Sequence, residues 1–120
     1  MPVETTRPCV EMEQVGDATV VRFTCRSILD DRSVALISRQ LTAALEVTDR
    51  PRIVLDFGQV ESVSTMMVSK LVALNTKVQI AGGRLALCRI NPFLHQIFDI
   101  LKLPGVLAIF QEEHEALERL

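Results

Sequence analysis

Residues 53–83, IVLDFGQVESVSTMMVSKLVALNTKVQIAGG, constrain the fold more than any other part of the chain. The segment opens with a short run, residues 53–57, that has apolar side chains on both faces, as in a central strand covered by helices. A polar link follows and ends in a hydroxyl cluster formed by Ser62, Ser64 and Thr65. The order of strand, link and helix start is typical of an α/β domain.

The hydroxyl cluster stands at the predicted start of a long amphipathic helix. That helix begins near Ser64 or Thr65, because an apolar stripe at three- and four-residue spacing follows; its members are Met67, Leu71, Leu74 and Val78, widened by Val68 and Val72. Gly82 and Gly83 supply the left-handed stop. Met66 and Met67 are adjacent, so if Met67 belongs to the buried stripe, Met66 turns toward the surface. There it either forms an adaptable docking patch beside Thr65 or covers a gap between helices.

The flanking segments continue the alternation of strands and helices. Weak alternation over residues 8–15, a turn at Gly16-Asp17 and a strand over residues 18–24 predict an opening hairpin. A first helix is capped by Asp30 or Asp31 and ends near Thr48, ahead of Pro51. Its predicted buried face is made of Val34, Ile37, Leu41 and Leu45.

The C-terminal part adds two strands and two helices. Residues 84–89 predict a strand, and Asn91-Pro92 predicts the start of a third helix. The predicted buried face of that helix is made of Phe93, Ile97, Ile100 and Leu101. Residues 106–110 form a last strand and residues 112–120 an acidic helix. The order β-β-α-β-α-β-α-β-α predicts a mostly parallel sheet of about five strands with four helices. Residues 1–7 are expected to be flexible, and residues 8–120 to form one domain.

Composition excludes several classes of function. Hydrophobic residues make up 48% of the 120 residues, which indicates a folded chain with a single core. The chain has no Trp or Tyr and a net charge of −2 without a basic stripe, which argues against nucleic-acid partners. No apolar run is long enough to insert into a membrane, and the N-terminus has no signal-peptide pattern. Three scattered cysteines favour a reducing, cytoplasmic location.

The sequence offers little support for catalysis. His95 and His114 have no second ligand at metal spacing, and no nucleophile elbow or glycine-rich phosphate loop occurs. We therefore expect a protein that is not an enzyme, with no catalytic residue, metal or cofactor. Two alternatives stay open, a ligand-binding module and a small hydrolase built on Ser64 or Thr65.

The order of elements, the hydroxyl cluster and the Asn-Pro helix start together resemble the STAS domain, the fold of anti-sigma factor antagonists and of stressosome scaffold proteins. IVLDFGQVESVSTMMVSKLVAL resembles the family's strand followed by D-x-x-x-V-x-x-[ILMV]-D-[ST] and a helix. GGRLALCRINPFLHQIFDILKLPGVLAIF resembles its G-G-x-[ILV] strand and the helix that follows. The resemblance covers nearly the whole chain, roughly residues 9–117.

Matching by position carries the family's phosphorylated Ser or Thr onto Thr65 and the acidic residue at the strand end onto Asp56. This chain departs from the pattern in three places. Ser64 replaces the family's Asp, Met67 replaces a frequent Gly, and residues 24–30, TCRSILD, form a longer loop without the usual glycine. These departures indicate a divergent relative.

The resemblance implies a non-enzymatic signalling domain that binds an anti-sigma factor or serine/threonine kinase-like protein and is reset by a phosphatase. Thr65 is the implied phosphorylation site, with Ser64 and Ser62 as neighbouring candidates. The implied partner-binding residues are Ser64, Thr65, Met66 and Ser69. The alternative is a STAS subunit that is not phosphorylated and belongs to a larger assembly, such as a stressosome-like scaffold or a lipid-transport complex.

Overall fold

The computed structural model describes residues 9–46 and 48–120, and its order of main elements matches the sequence prediction. The strands are β1 (Val10–Val15), β2 (Ala18–Phe23), β3 (Ser27–Ile28), β4 (Arg52–Asp56), β5 (Ser62–Val63), β6 (Arg84–Cys88) and β7 (Ala108–Phe110). The helices are α1 (Asp31–Leu45), α2 (Thr65–Ile80), α3 (Pro92–Ile100) and α4 (Glu113–Arg119). The predicted flexible segment, residues 1–7, lies outside the described residues.

Five strands form the main sheet in the order β1-β2-β4-β6-β7. β1 and β2 are the antiparallel arms of the predicted hairpin, and the other neighbours pair in parallel. Parallel neighbours need crossover connections, which α1, α2 and α3 provide. The prediction of a mostly parallel sheet with four helices is therefore confirmed.

The helices cover the sheet on both faces. On one face, α1, α2 and α3 pack over alternate residues of the central strands, among them Val21, Ile53, Leu55 and Leu87. On the other face, α4 packs through Ala116 over a smaller cluster, Val20, Val54, Ala86 and Cys88. β4 is buried on both sides because it lies in the middle of the sheet, as its continuous apolar run indicated.

Side-chain caps set where the three longer helices begin. Asp30 caps α1 by accepting a hydrogen bond from the Ser33 amide (3.0 Å), and Asn91 caps α3 by accepting from the Leu94 amide (2.8 Å). The buried face of α1 contains the four predicted residues. α1 ends at Leu45, three residues before the predicted end, and residue 47 lies outside the described residues.

The prediction for the buried face of α3 was wrong. Leu94 and Phe98 are fully buried, whereas Phe93, Ile100 and Leu101 are exposed and Ile97 is half-buried. Apolar residues surround most of this helix, so their spacing alone cannot identify the core-facing side. The tertiary structure selects it, because the Asn91 side chain also donates to the Val60 carbonyl (3.0 Å) and holds the first turn of α3 against the β4–β5 link.

Candidate functional site

The start of α2 is held by a second, two-stranded sheet that the sequence did not predict. β3 and β5 pair in parallel, with Ser27 opposite Ser62 and Ile28 opposite Val63. The amide of Ser64 donates to the Ile28 carbonyl (2.9 Å), and the Ser27 and Ser62 hydroxyl oxygens lie 3.0 Å apart. The loop of residues 24–30 is therefore the support on which the hydroxyl cluster rests.

Ser64 and Thr65 have different roles at this helix start. Ser64 is the N-cap, and its hydroxyl oxygen accepts a hydrogen bond from the Met67 amide (3.1 Å). Thr65 is the first helical residue and is exposed, and its hydroxyl has no hydrogen-bond partner within the described part of the chain. The capping requirement is thus met by Ser64, which leaves the Thr65 hydroxyl free to react or to contact a partner.

The two methionines that follow point in opposite directions. Met67 is 1% exposed and belongs to the main core, whereas Met66 is 42% exposed. Ser69, one turn beyond Thr65, is also exposed. Ser64, Thr65, Met66 and Ser69 lie together on the outer side of the first turns of α2, and we call these four residues the α2-start surface.

Sequence reasoning missed two residues beside the α2-start surface. Leu29 follows the β3 residue that holds Ser64, and its side chain is 52% exposed. Ser27 brings a further hydroxyl next to Ser62. Neither residue carries a local sequence signal, because the pairing of β3 with β5 joins segments far apart in the chain.

Electrostatics at the α2 start favour an anion. The first turn of α2 has no acidic residue, and the helix begins with backbone N–H groups that carry a partial positive charge. Arg26, which precedes β3, is exposed and lies 3.9 Å from the Glu61 carboxylate. A phosphate on Thr65 would lie beside the N–H donors and the positive end of α2.

A separate buried charge cluster lies at the carboxyl end of β4. The Asp56 side chain is almost fully buried and accepts a hydrogen bond from the Gly58 amide (2.8 Å), with Arg89 3.4 Å away. Burial, followed by the Glu113 carboxyl, raises the pKa of Asp56. The pKa of Glu113 is lowered, chiefly by its hydrogen bonds from Arg22 at 2.8 and 3.0 Å. The cluster joins α4 to the sheet, so Asp56 has a structural place apart from the α2-start surface.

The two histidines lie on different helices. His95 contacts Asp99 on the same helix (3.3 Å), and His114 lies exposed on α4. Residues 9–46 and 48–120 contain no group of three or more His, Cys, Asp or Glu side chains placed to hold a metal ion. Among the helices within those ranges, none combines the length and apolar character that a membrane span requires.

Comparison with known proteins places this geometry in a family. The STAS domain family matches residues 10–116. An anti-sigma F factor antagonist from Paenibacillus polymyxa is 23% identical over 111 residues, which cover 92% of this chain and 93% of that protein.

Two solved structures share the fold. A STAS domain protein from Planctomyces limnophilus superposes with a TM-score of 0.84 at 18% identity, over 92% of this chain and 96% of that one. The Bacillus cell fate determinant SpoIIAA, in its phosphorylated form, superposes with a TM-score of 0.69 at 18% identity, over 92% and 97% of the two chains. With the match covering both the sheet and the α2 start, this chain belongs to the STAS family.

Proposed function

We propose that this chain is a non-enzymatic signalling domain that binds a protein partner through the α2-start surface, and that phosphorylation of Thr65 switches the binding off. The exposed Thr65 hydroxyl beside the Ser64 cap is the observation that carries the proposal. The partner is of the kind implied by the similarity to anti-sigma factor antagonists, an anti-sigma factor with serine/threonine kinase character, and a phosphatase resets the domain.

The physics of the switch follows from charge. Phosphorylation adds about −1.5 to −2 charges at pH 7. The positive end of α2 tolerates that charge, so the domain stays folded. A partner surface that packs on the apolar Met66 and Leu29 side chains does not tolerate it, because the phosphate would lose water without gaining a counter-charge. One modification therefore weakens binding without unfolding the domain.

The Ser64 that replaces the family's Asp keeps the helix cap and removes a charge. Ser and Asp are N-caps of similar strength, so the start of α2 is preserved. A neutral cap also removes the repulsion between a carboxylate and a neighbouring phosphate. We infer that the kinase of this chain recognises a neutral residue before its target.

The first experiment is intact mass and peptide mapping of the protein purified from its host with phosphatases inhibited. A phosphate on Thr65 supports the switch, whereas a phosphate on Ser62 or Ser64 alone moves the switch to another hydroxyl. An unmodified protein during both growth and stress contradicts the switch. It would favour the alternative of a constitutive STAS subunit in a larger assembly, for which the replacements at Ser64 and Met67 are the supporting observations.

A phosphomimetic variant separates switching from folding. Thr65→Glu is expected to weaken partner binding and to leave the melting temperature unchanged or slightly raised, because a carboxylate at the first turn of a helix contributes about 0.3–1 kcal/mol. Thr76→Glu is the matched control, since it makes the same substitution on an exposed residue of α2 three turns beyond Thr65, and it should leave partner binding unchanged. Weaker binding accompanied by a lower melting temperature would contradict this reading of Thr65.

The proposed setting of this exchange is the cytoplasm. Cys9, Cys25 and Cys88 are free thiols, and Cys88 is fully buried in the smaller core cluster. Free cysteines used as core residues fit a reducing compartment.

A further inference from the structure

A narrow apolar slot lies between α1 and α2. Its floor is formed by core side chains that reach the surface only at their edges, namely Ile37, Leu41, Met67, Leu71 and Leu74. Ser38, Thr42 and the exposed Ala73 form its mouth. The slot begins beside Met67 and Lys70, so it continues along α2 from the α2-start surface. We call this feature the α1–α2 slot.

The rim of the α1–α2 slot is positively charged. Lys70 and Lys77, two turns apart on α2, line the slot, and Arg39 lies beside Ser38 and Thr42 on the α1 side. All three cations are exposed, and no ion pair joins any of them to another residue of the described ranges. Arg39 and Glu46 line an adjoining depression that shares Ser38, Thr42 and Lys70 with the slot. Three cations against one carboxylate leave charge that an acidic partner would neutralise.

The size of the slot restricts its occupant. Its volume is about 80 Å³. An apolar cavity of about 150 Å³ holds one benzene ring, so this slot has room for one aliphatic side chain and not for a lipid chain. The mouth residues Ser38, Thr42 and Ala73 are small, which allows a helix backbone to approach closely.

We propose that the α1–α2 slot receives an acidic amphipathic helix of the protein partner. One aliphatic side chain of that helix enters the slot, and its flanking carboxylates pair with Lys70, Lys77 and Arg39. This proposal rests on the proposed function, because the same partner reaches Thr65 at the near end of the slot. It adds a second contact region, which gives the partner affinity that a phosphate on Thr65 does not touch directly.

The test uses a defined probe in place of the partner. The probe is a stapled helical peptide of about four turns, with leucine at the centre of one face and glutamate on both flanks. Its affinity for the whole protein is measured by fluorescence anisotropy at low and high salt. A second peptide carries lysine at each glutamate position, and a third carries alanine in place of the central leucine.

Two variants remove the two features of the slot. Lys70→Glu/Lys77→Glu reverses the rim, and Ala73→Tyr fills the mouth without touching the core. Arg84→Glu/Lys102→Glu makes the same charge change on exposed residues outside the slot. We expect Lys70→Glu/Lys77→Glu to weaken the binding of the acidic peptide at least tenfold and to strengthen the binding of the lysine peptide, because opposite charges attract. The filled mouth and the alanine peptide should each weaken binding about three- to tenfold.

Three results would overturn the proposal. The first is that the acidic peptide does not bind the wild-type protein. The second is that Arg84→Glu/Lys102→Glu weakens the binding of the acidic peptide as much as Lys70→Glu/Lys77→Glu does. The third is self-association of the wild-type protein in sedimentation equilibrium that Lys70→Glu/Lys77→Glu abolishes, since the occupant would then be a second copy of the chain. None of these results depends on Thr65, so failure here leaves the mapping of phosphate on Thr65 as an independent test of the proposed function.

Discussion

At the scale of single residues, four consecutive side chains at the start of α2 have four different structural roles. Ser64 caps the helix, Thr65 presents its hydroxyl, Met66 lies outside and Met67 fills the core. The helical rotation of about 100° per residue separates them, because consecutive side chains cannot share a face. A change at Thr65 or Met66 is therefore expected to affect binding and a change at Met67 to affect stability, whereas Ser64 contributes to both.

The two methionines provide the direct comparison. Met66→Ala is expected to weaken partner binding and to change the free energy of unfolding by less than about 0.5 kcal/mol, as surface substitutions do. Met67→Ala should cost about 2–5 kcal/mol, because it leaves a cavity in the main core. Urea unfolding of both variants checks this. A large stability loss for Met66→Ala would mean that its side chain is part of the core.

At the scale of elements, the connections of α2 and α4 decide how they meet the sheet. α2 ends at Ile80, and Gly82 follows the C-cap with a φ of 78°. The Gly83 amide donates to the Val78 carbonyl (2.9 Å). The Arg84 amide then donates to the Pro51 carbonyl (2.8 Å), so the chain passes closely over the segment before β4. Gly82 and Gly83, which the sequence predicts to end α2, also allow the backbone to pass this close to Pro51.

Replacing Gly83 tests the close passage. A Cβ atom at Gly83 would lie inside van der Waals contact with the Pro51 backbone, which cannot move away as a side chain can. We expect Gly83→Ala to cost about 1–3 kcal/mol, in the range of overpacked sites. Gly105→Ala is the control, because its Cβ would meet open space. Thermal unfolding compares the two variants, and similar melting temperatures would refute the close passage.

The connection of α4 to the sheet predicts a pH effect. The pKa of Asp56 is raised by burial and by Glu113, so the fold favours its protonated form. The stability that Asp56 contributes is therefore present below its ordinary pKa of 3.8 and is lost as the pH rises through its raised value. Glu113 acts in the opposite sense, because its lowered pKa gives stability that is lost as the pH falls.

Asp56→Asn isolates the contribution of Asp56 from that of Glu113. Asparagine keeps an acceptor for the Gly58 amide and carries no ionisable proton. We expect this variant to gain stability relative to the wild type as the pH rises above 3.8. Urea unfolding over a pH series measures the difference. A stability difference that stays constant with pH, or that changes in the opposite direction, would show that Asp56 is ionised without cost.

At the scale of the whole molecule, the proposed partner surfaces lie on one face of the sheet, and the helix on the other face has a structural role. α1, α2 and α3 cover the larger cluster and carry the α2-start surface and the α1–α2 slot. α4 covers the smaller cluster on the opposite face. A central sheet needs both faces covered, so α4 is required for the fold although it lies away from the proposed partner surfaces.

Removal of residues 112–120 tests this division. The truncated protein loses the cover over Val20, Val54, Ala86 and Cys88 and the ion pair between Arg22 and Glu113. We expect it to bind an apolar dye such as ANS and to aggregate, because a large exposed apolar patch promotes association. Glu118→Ala, an exposed change on the same helix, should behave as the wild type. A truncated protein that stays monomeric and does not bind the dye would contradict the role of α4.

The sequence by itself determined the order of elements and the site of the hydroxyl cluster. Apolar spacing identified the buried faces of α1 and α2, and local residues such as Asp30, Ser64 and Asn91 placed the helix starts. These features are encoded locally, because helix periodicity and capping depend on residues within a few positions of one another.

Only the tertiary structure decided which face of α3 is buried, how β3 supports the start of α2, and how α1 and α2 form the slot. α3 is apolar on more than one side, so its orientation depends on the contact between Asn91 and Val60. The pairing of Ser27 with Ser62 and the approach of Lys70 to Ser38 join residues distant in sequence. Such contacts leave no local pattern, because they depend on how the sheet and its helices pack in space.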